Sequence, residues 1–177
     1  EKETLRETLL SVIDSASQSG LIAKKYHYVE LKLYVATITS DSLAMAKADR
    51  LYTDAAIAMF KDIFHGYKAS PWVEYDQLSN KYIDGDNEYL LRRLQEVRTA
   101  SQLEQCAESL EPLHKDYIAL RNQLKKQKEK NSTDTVRLLS LSMNYYRWIH
   151  HFRYDRFIII NLAAARLQYY EEDSLVF

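Results

Sequence analysis

A mainly α fold, a multi-helix bundle-like domain followed by a short C-terminal β-hairpin, is predicted by three observations. The 177 residues include only 3 Gly and 2 Pro, too few for a sandwich or barrel built on tight turns. Apolar residues recur at spacings of three and four from Leu5 to Tyr146, which is the helical period. After Arg156 the period changes. Phe157 to Leu162 is a short apolar run rich in β-branched residues, and Arg166 to Tyr170 alternates polar and apolar, which reads as strand, turn, strand.

The elements follow in order. Leu5, Leu9, Ile13 and Ala16 share one helical face, and Gly20 stops that helix. Tyr26 to Thr39 fits two periods: Val29, Leu31, Leu33 and Val35 alternate as in a strand, while Tyr28, Leu31, Val35 and Ile38 fit a helix. With helices on both sides, helix is the reading taken. Ser40 or Asp41 caps the next helix. Leu43, Leu51, Ala55, Met59 and Ile63 form its stripe and Gly66 ends it, giving a central rod of about 25 residues, or ~38 Å. Residues 67 to 87 form an irregular stretch anchored by Ser70-Pro71-Trp72. It holds a short helix from Tyr75 to Tyr82 and a turn at Asp84-Gly85. Glu88 to Arg98 is a helix with Leu90, Leu91, Leu94 and Val97 inward. Ser101-Gln102-Leu103-Glu104 is a capping-box pattern opening another, with Leu103, Cys106, Ala107 and Leu110 inward and Pro112 interrupting. Leu113, Tyr117, Leu120 and Leu124 carry the next helix into a lysine-rich run. Asn131 to Asp134 is a polar connector and N-cap, and Leu138, Leu139, Met143 and Tyr146 mark a helix ending near Trp148. Ala163 to Ala165 makes the hairpin turn, and Glu171-Glu172-Asp173 is a hairpin tip.

A net charge of −1 creates no global field for nucleic acid or an anionic membrane, and no apolar run approaches the roughly 20 residues of a membrane span. One cysteine permits no internal disulfide. Cys106 lies mid-helix among Glu104 and Glu108, acids that disfavour a thiolate, so it reads as a small core residue. His150-His151 lacks a metal partner at helical spacing and reads as a loop beside a domain junction. Asp84 to Glu88 opens like a calcium loop, but Tyr89 and Gln95 stand where Gly and Glu belong. No Gly-rich phosphate loop occurs, and no cofactor is implied. Among the 14 Tyr, most sit at core-facing spacing. Trp72, in the irregular stretch with Tyr67 and Tyr75, is the candidate for recognition of a ligand such as a glycan.

Several short motifs resemble the large L,D-transpeptidases, enzymes that cross-link peptidoglycan stems. Their helical scaffold has a G-L-x-P-x-x-Y-H stretch, which is similar to Gly20-Leu21 and Tyr26-His27 with Ala23 for Pro. Leu51, Thr53, Asp54, Ala55 and His65-Gly66 match a second motif, and Leu110, Pro112, Tyr117, Leu120 and Arg121 a third. At the junction with the catalytic domain, the family pattern N-M-x-R-x-R-W is matched by Met143, Arg147 and Trp148. R-Y-I-x-V-N-I-P is matched by Arg156, Ile158 and Asn161. Ser142, Tyr145 and Ala163 stand where the family has Asn, Arg and Pro.

The resemblance implies a scaffold domain over residues 1–134, a connecting helix and loop over 135–153, and the beginning of a catalytic β domain over 154–177. The family's nucleophile, a cysteine in S-x-G-C-x-R with an upstream histidine, has no counterpart here, so no catalytic residue is assigned. The resemblance further implies a cell-envelope or periplasmic location after removal of a signal peptide, with a catalytic domain of the same polypeptide and peptidoglycan as partners. An exposed β edge predicts self-association through residues 157–177. The competing expectation is a stand-alone helical interaction or glycan-binding module.

Overall fold

The computed structural model describes residues 2–36, 42–67, 80–130, 133–151, 155–162, 164–172 and 174–177. Among them, seven α-helices precede a three-stranded antiparallel sheet in the order β1-β2-β3. Helix α1 (Lys2–Ser15) tightens into a 3-10 turn, Ala16–Ser19, and stops at Gly20. The positive φ there, 73°, is the left-handed conformation that glycine adopts without steric cost. A second 3-10 turn, Ala23–Tyr26, leads into α2 (Tyr28–Ala36). Helix α3 (Ser42–His65, 24 residues) is the central rod and ends at Gly66, φ 79°. Its face Tyr52, Ala55, Met59, Phe60 and Ile63 is buried and meets Leu9, Ile13 and Leu31 in the larger core. Full burial of Met59 or Phe60 stabilises by roughly 1.5–3 kcal/mol each.

Helices α4 (Asn80–Glu96) and α5 (Ala100–Ser109) close that core through Leu90 and Leu103, with Leu110 just past the end of α5. Helices α6 (Lys115–Glu129) and α7 (Thr133–His151) pair around a second, smaller core of Tyr117, Leu124 and Met143. Strands β1 (Arg156–Asn161) and β2 (Arg166–Glu171) pair with Asn161 opposite Arg166, and β3 (Ser174–Leu175) adds to β2. The two predicted strands are therefore part of a meander, because Glu172, φ 46°, turns the chain back once more. No helix among the described residues is long and apolar enough to cross a membrane.

Several expected details are corrected. Asp84-Gly85 lies inside α4, not in a turn, and the calcium-loop reading falls with it. One glycine costs a helix only about 1 kcal/mol, less than α4 gains by packing Leu90 and Leu94 on the core. The capping box is Thr99–Gln102, two residues earlier than expected: the Thr99 hydroxyl accepts from the Gln102 N–H at 3.3 Å, and Gln102 Oε1 accepts from the Thr99 N–H at 3.2 Å. Both Thr99-x-x-Gln102 and Ser101-x-x-Glu104 satisfy the pattern, and the reciprocal bonds form at the earlier one. Leu43, Leu91, Leu113 and Leu138 are exposed, Leu113 at 83% because it precedes α6 in the Pro112 break. His150 and His151 belong to the last turn of α7, not to a loop.

Candidate functional site

Helix α7 places one row of side chains against the ends of other helices. Gly20 and Gly66, the two left-handed helix stops, both lie under it. A Cβ on Gly20 would meet Ser140 Cα at 3.0 Å, and one on Gly66 would meet the Asn144 carbonyl oxygen and Oδ1 at 2.8 Å. Ser140 and Asn144 are four residues apart, hence on the same face. Glycine is required at both stops, by its φ and by the approach of the α7 backbone. Asn144, wholly buried, accepts from the Tyr67 N–H at 2.6 Å, which satisfies a backbone donor just past the end of α3.

One turn on, Arg147 is also wholly buried. Its Nη2 donates to the Ser19 carbonyl and to the Tyr117 hydroxyl, both at 2.7 Å. Glu111 Oε1 lies 3.7 Å from Nη2, and the guanidinium sits 5.4 Å from the Tyr117 ring centre. Glu111 also pairs with Arg121. A cation at the carbonyl end of a helical turn is favourable, and a buried one is tolerated only with close partners. Nε and Nη1 find no acceptor among the described residues. Burial pushes the Tyr117 hydroxyl far above its ordinary pKa, with Arg147 lowering it and Glu111 raising it again.

Around this centre the polar contacts continue. The Tyr26 hydroxyl donates to Asp62 at 2.8 Å, and Lys25 pairs with Asp62 at 3.2 Å. Burial, then the Asp62 charge, pushes Tyr26 far up. His27 Nε2 lies 2.8 Å from Asp54. Lys128 Nζ donates to the Ser17 carbonyl, an exception to the solvated lysine run.

On the other side the sheet is docked through aromatics. Tyr170, wholly buried, stacks on Phe157 at 4.9 Å and lies 5.4 Å from His114. His114 in turn lies 5.5 Å from Tyr146 of α7, whose hydroxyl donates to Asp116 at 3.1 Å. His114 Nδ1 caps α6 by accepting from the Asp116 N–H at 3.2 Å. The face bearing Phe157 and Ile159 is therefore half-covered, whereas Ile158, Ile160 and Leu162 are exposed. Asn161 Oδ1 accepts from the Ala164 N–H at 3.0 Å and fastens the β1–β2 turn.

Of the residues singled out in sequence, Met143 is core, Arg147 is the hub, Trp148 is half-buried and Asn161 is a turn cap. Tyr67 is half-buried, with Lys25 Nζ 4.9 Å from its ring centre. Trp72 and Tyr75 lie outside the described residues. Asn144, Glu111 and Asp62 were not singled out; the only signal for Asn144 was an amide among apolar residues on an inward face. Cys106 is buried, and burial raises its thiol pKa, partly opposed by Arg93. No metal-holding group of three His, Cys, Asp or Glu exists among the described residues.

The sequence matches the family model described as the scaffold domain over residues 2–124. The chain belongs to the scaffold-domain family. No curated protein and no solved structure matches it. The scaffold-domain match spans α1 to α5 and most of α6.

Proposed function

We propose that this scaffold domain is the non-catalytic part of an L,D-transpeptidase-like cell-envelope protein that acts in peptidoglycan cross-linking. In this reading residues 1–134 are the scaffold, 135–153 the connection, and 154–177 the beginning of a catalytic β domain. The scaffold sets the position of that domain, and the whole protein works in the periplasm after loss of a signal peptide.

One observation carries the reading: the short motifs that resemble the transpeptidases touch one another. His27 of the first meets Asp54 of the second. Gly66 of the second lies against Asn144, beside Met143 of the junction motif. Tyr117 of the third binds Arg147 of the junction. These contacts join residues scattered over more than a hundred positions, and they support the reading. The docking of Tyr170 on His114 and, through it, Tyr146 then gives the β segment a fixed seat on α6 and α7.

The chain lacks the S-x-G-C nucleophile segment, so residues 1–177 incubated with disaccharide-tetrapeptide should yield no cross-linked product, and Cys106→Ala should change nothing. Turnover lost in that variant would contradict the assignment. The reading frame following Phe177 supplies the direct check. A histidine-bearing segment followed by S-x-G-C supports a transpeptidase parent, and a stop codon there contradicts it.

A further inference from the structure

A cleft of about 290 Å³ opens between α1, α5, α6 and the 3-10 turn at Ala16–Ser19. Its floor is apolar, with Val12 of α1 and Ile63 of α3 over the buried Met59. Helix α5 brings Glu104 and Glu108, one turn apart, and α6 brings Arg121 and Lys125, also one turn apart. At the buried end Glu111 pairs with Arg121 and is backed by Arg147, so its charge is already answered. Glu104, Glu108 and Lys125 are exposed, and among the described residues none of them makes an ion pair.

Charged helix faces are ordinarily just solvated. Here two unpaired acids on one helix and an unpaired amine on another line one cavity above an apolar floor. Ligand clefts run from roughly 300 to 1,000 Å³, so this one fits a small molecule and not an extended chain. We infer that the cleft binds a zwitterion of amino-acid or dipeptide size, with its ammonium at Glu104 and Glu108, its carboxylate at Lys125, and its side chain over Val12 and Ile63. The inference is independent of any catalytic parent.

The test is protein-observed NMR titration of the whole chain with L-alanyl-L-leucine, its N-acetyl form, its C-terminal amide, and the doubly blocked form. The free dipeptide should shift amides of Ser15, Ile63, Glu108 and Lys125. Blocking either end should weaken binding about two- to fivefold, the worth of one partly exposed ion pair, and blocking both should weaken it further. The double variant Glu104→Gln with Glu108→Gln should cost the free dipeptide the same factor but leave the N-acetyl form unaffected. Lys125→Gln should behave likewise toward the amide. All three positions are exposed, so the variants should fold, which circular dichroism checks. Affinity indifferent to the blocking groups overturns the inference, as does an absence of shifts in the cleft up to the solubility limit of the dipeptide.

Discussion

Arg147 shows how much one side chain can organise when it is buried without a one-to-one partner. Its guanidinium answers a helix-end carbonyl, a phenol and a carboxylate at once. Removing it leaves the Tyr117 hydroxyl and the Ser19 carbonyl without their donor and Glu111 with Arg121 alone, so Arg147→Ala should destabilise by about 3–5 kcal/mol, the range for breaking a buried ion pair; urea unfolding checks this. Gly66→Ala should cost more than about 1 kcal/mol, the usual limit for a compatible glycine exchange. The φ of 79° and the 2.8 Å approach to Asn144 both oppose a Cβ, and a neutral result would mean α7 sits farther off. The tyrosines give a pH signature. Burial raises the folded pKa of Tyr26, Tyr117 and Tyr146 above the ordinary value of about 10. The unfolded chain ionises first, so their contribution is complete below about pH 10 and is lost as pH rises through the raised folded values. Helix loss by circular dichroism should accompany the rise in tyrosinate absorbance above that pH. Tyrosinate forming in a chain that stays folded would contradict the burial of these hydroxyls.

At the scale of elements, most of the fold was legible. The 3.6 period with Gly20 and Gly66 as stops located α1 and α3, and the period change at Arg156 located β1 and β2. Misreadings came where a local signal competed with packing. Asp84-Gly85 looked like a turn because turn residues were read without the weight of Leu90 and Leu94 further along α4. Leu91, expected inward beside Leu90, is exposed because hydrophobicity alone does not say which face a helix buries. Met59→Ala should cost about 2–5 kcal/mol as a fully buried truncation. Leu51, only half-buried at the edge of the same stripe, should cost less, and equal costs would mean the stripe is turned. The site was legible only in part: Arg147 was visible through its motif, but its partners Ser19 and Glu111 lie 128 and 36 positions away (147 − 19 and 147 − 111). Pairing across such separations depends on how α7 lies over the helix ends, which no local spacing encodes.

For the whole molecule, α7 is the piece that joins a helical scaffold to a sheet. Ile158, Ile160 and Leu162 remain exposed on the sheet, and apolar strands with open edges recruit other strands. We propose that the isolated chain self-associates through residues 157–177, and that truncation after Arg153 leaves a folded monomer; light scattering on both would show it, and a monomeric 177-residue chain at high concentration would contradict it. Arg147 couples α7 to the scaffold through Tyr117. A double-mutant cycle of Arg147→Met and Tyr117→Phe, read by urea unfolding, tests it most directly. A coupling energy of about 1–3 kcal/mol is the predicted result, and additivity within about 0.5 kcal/mol would contradict it.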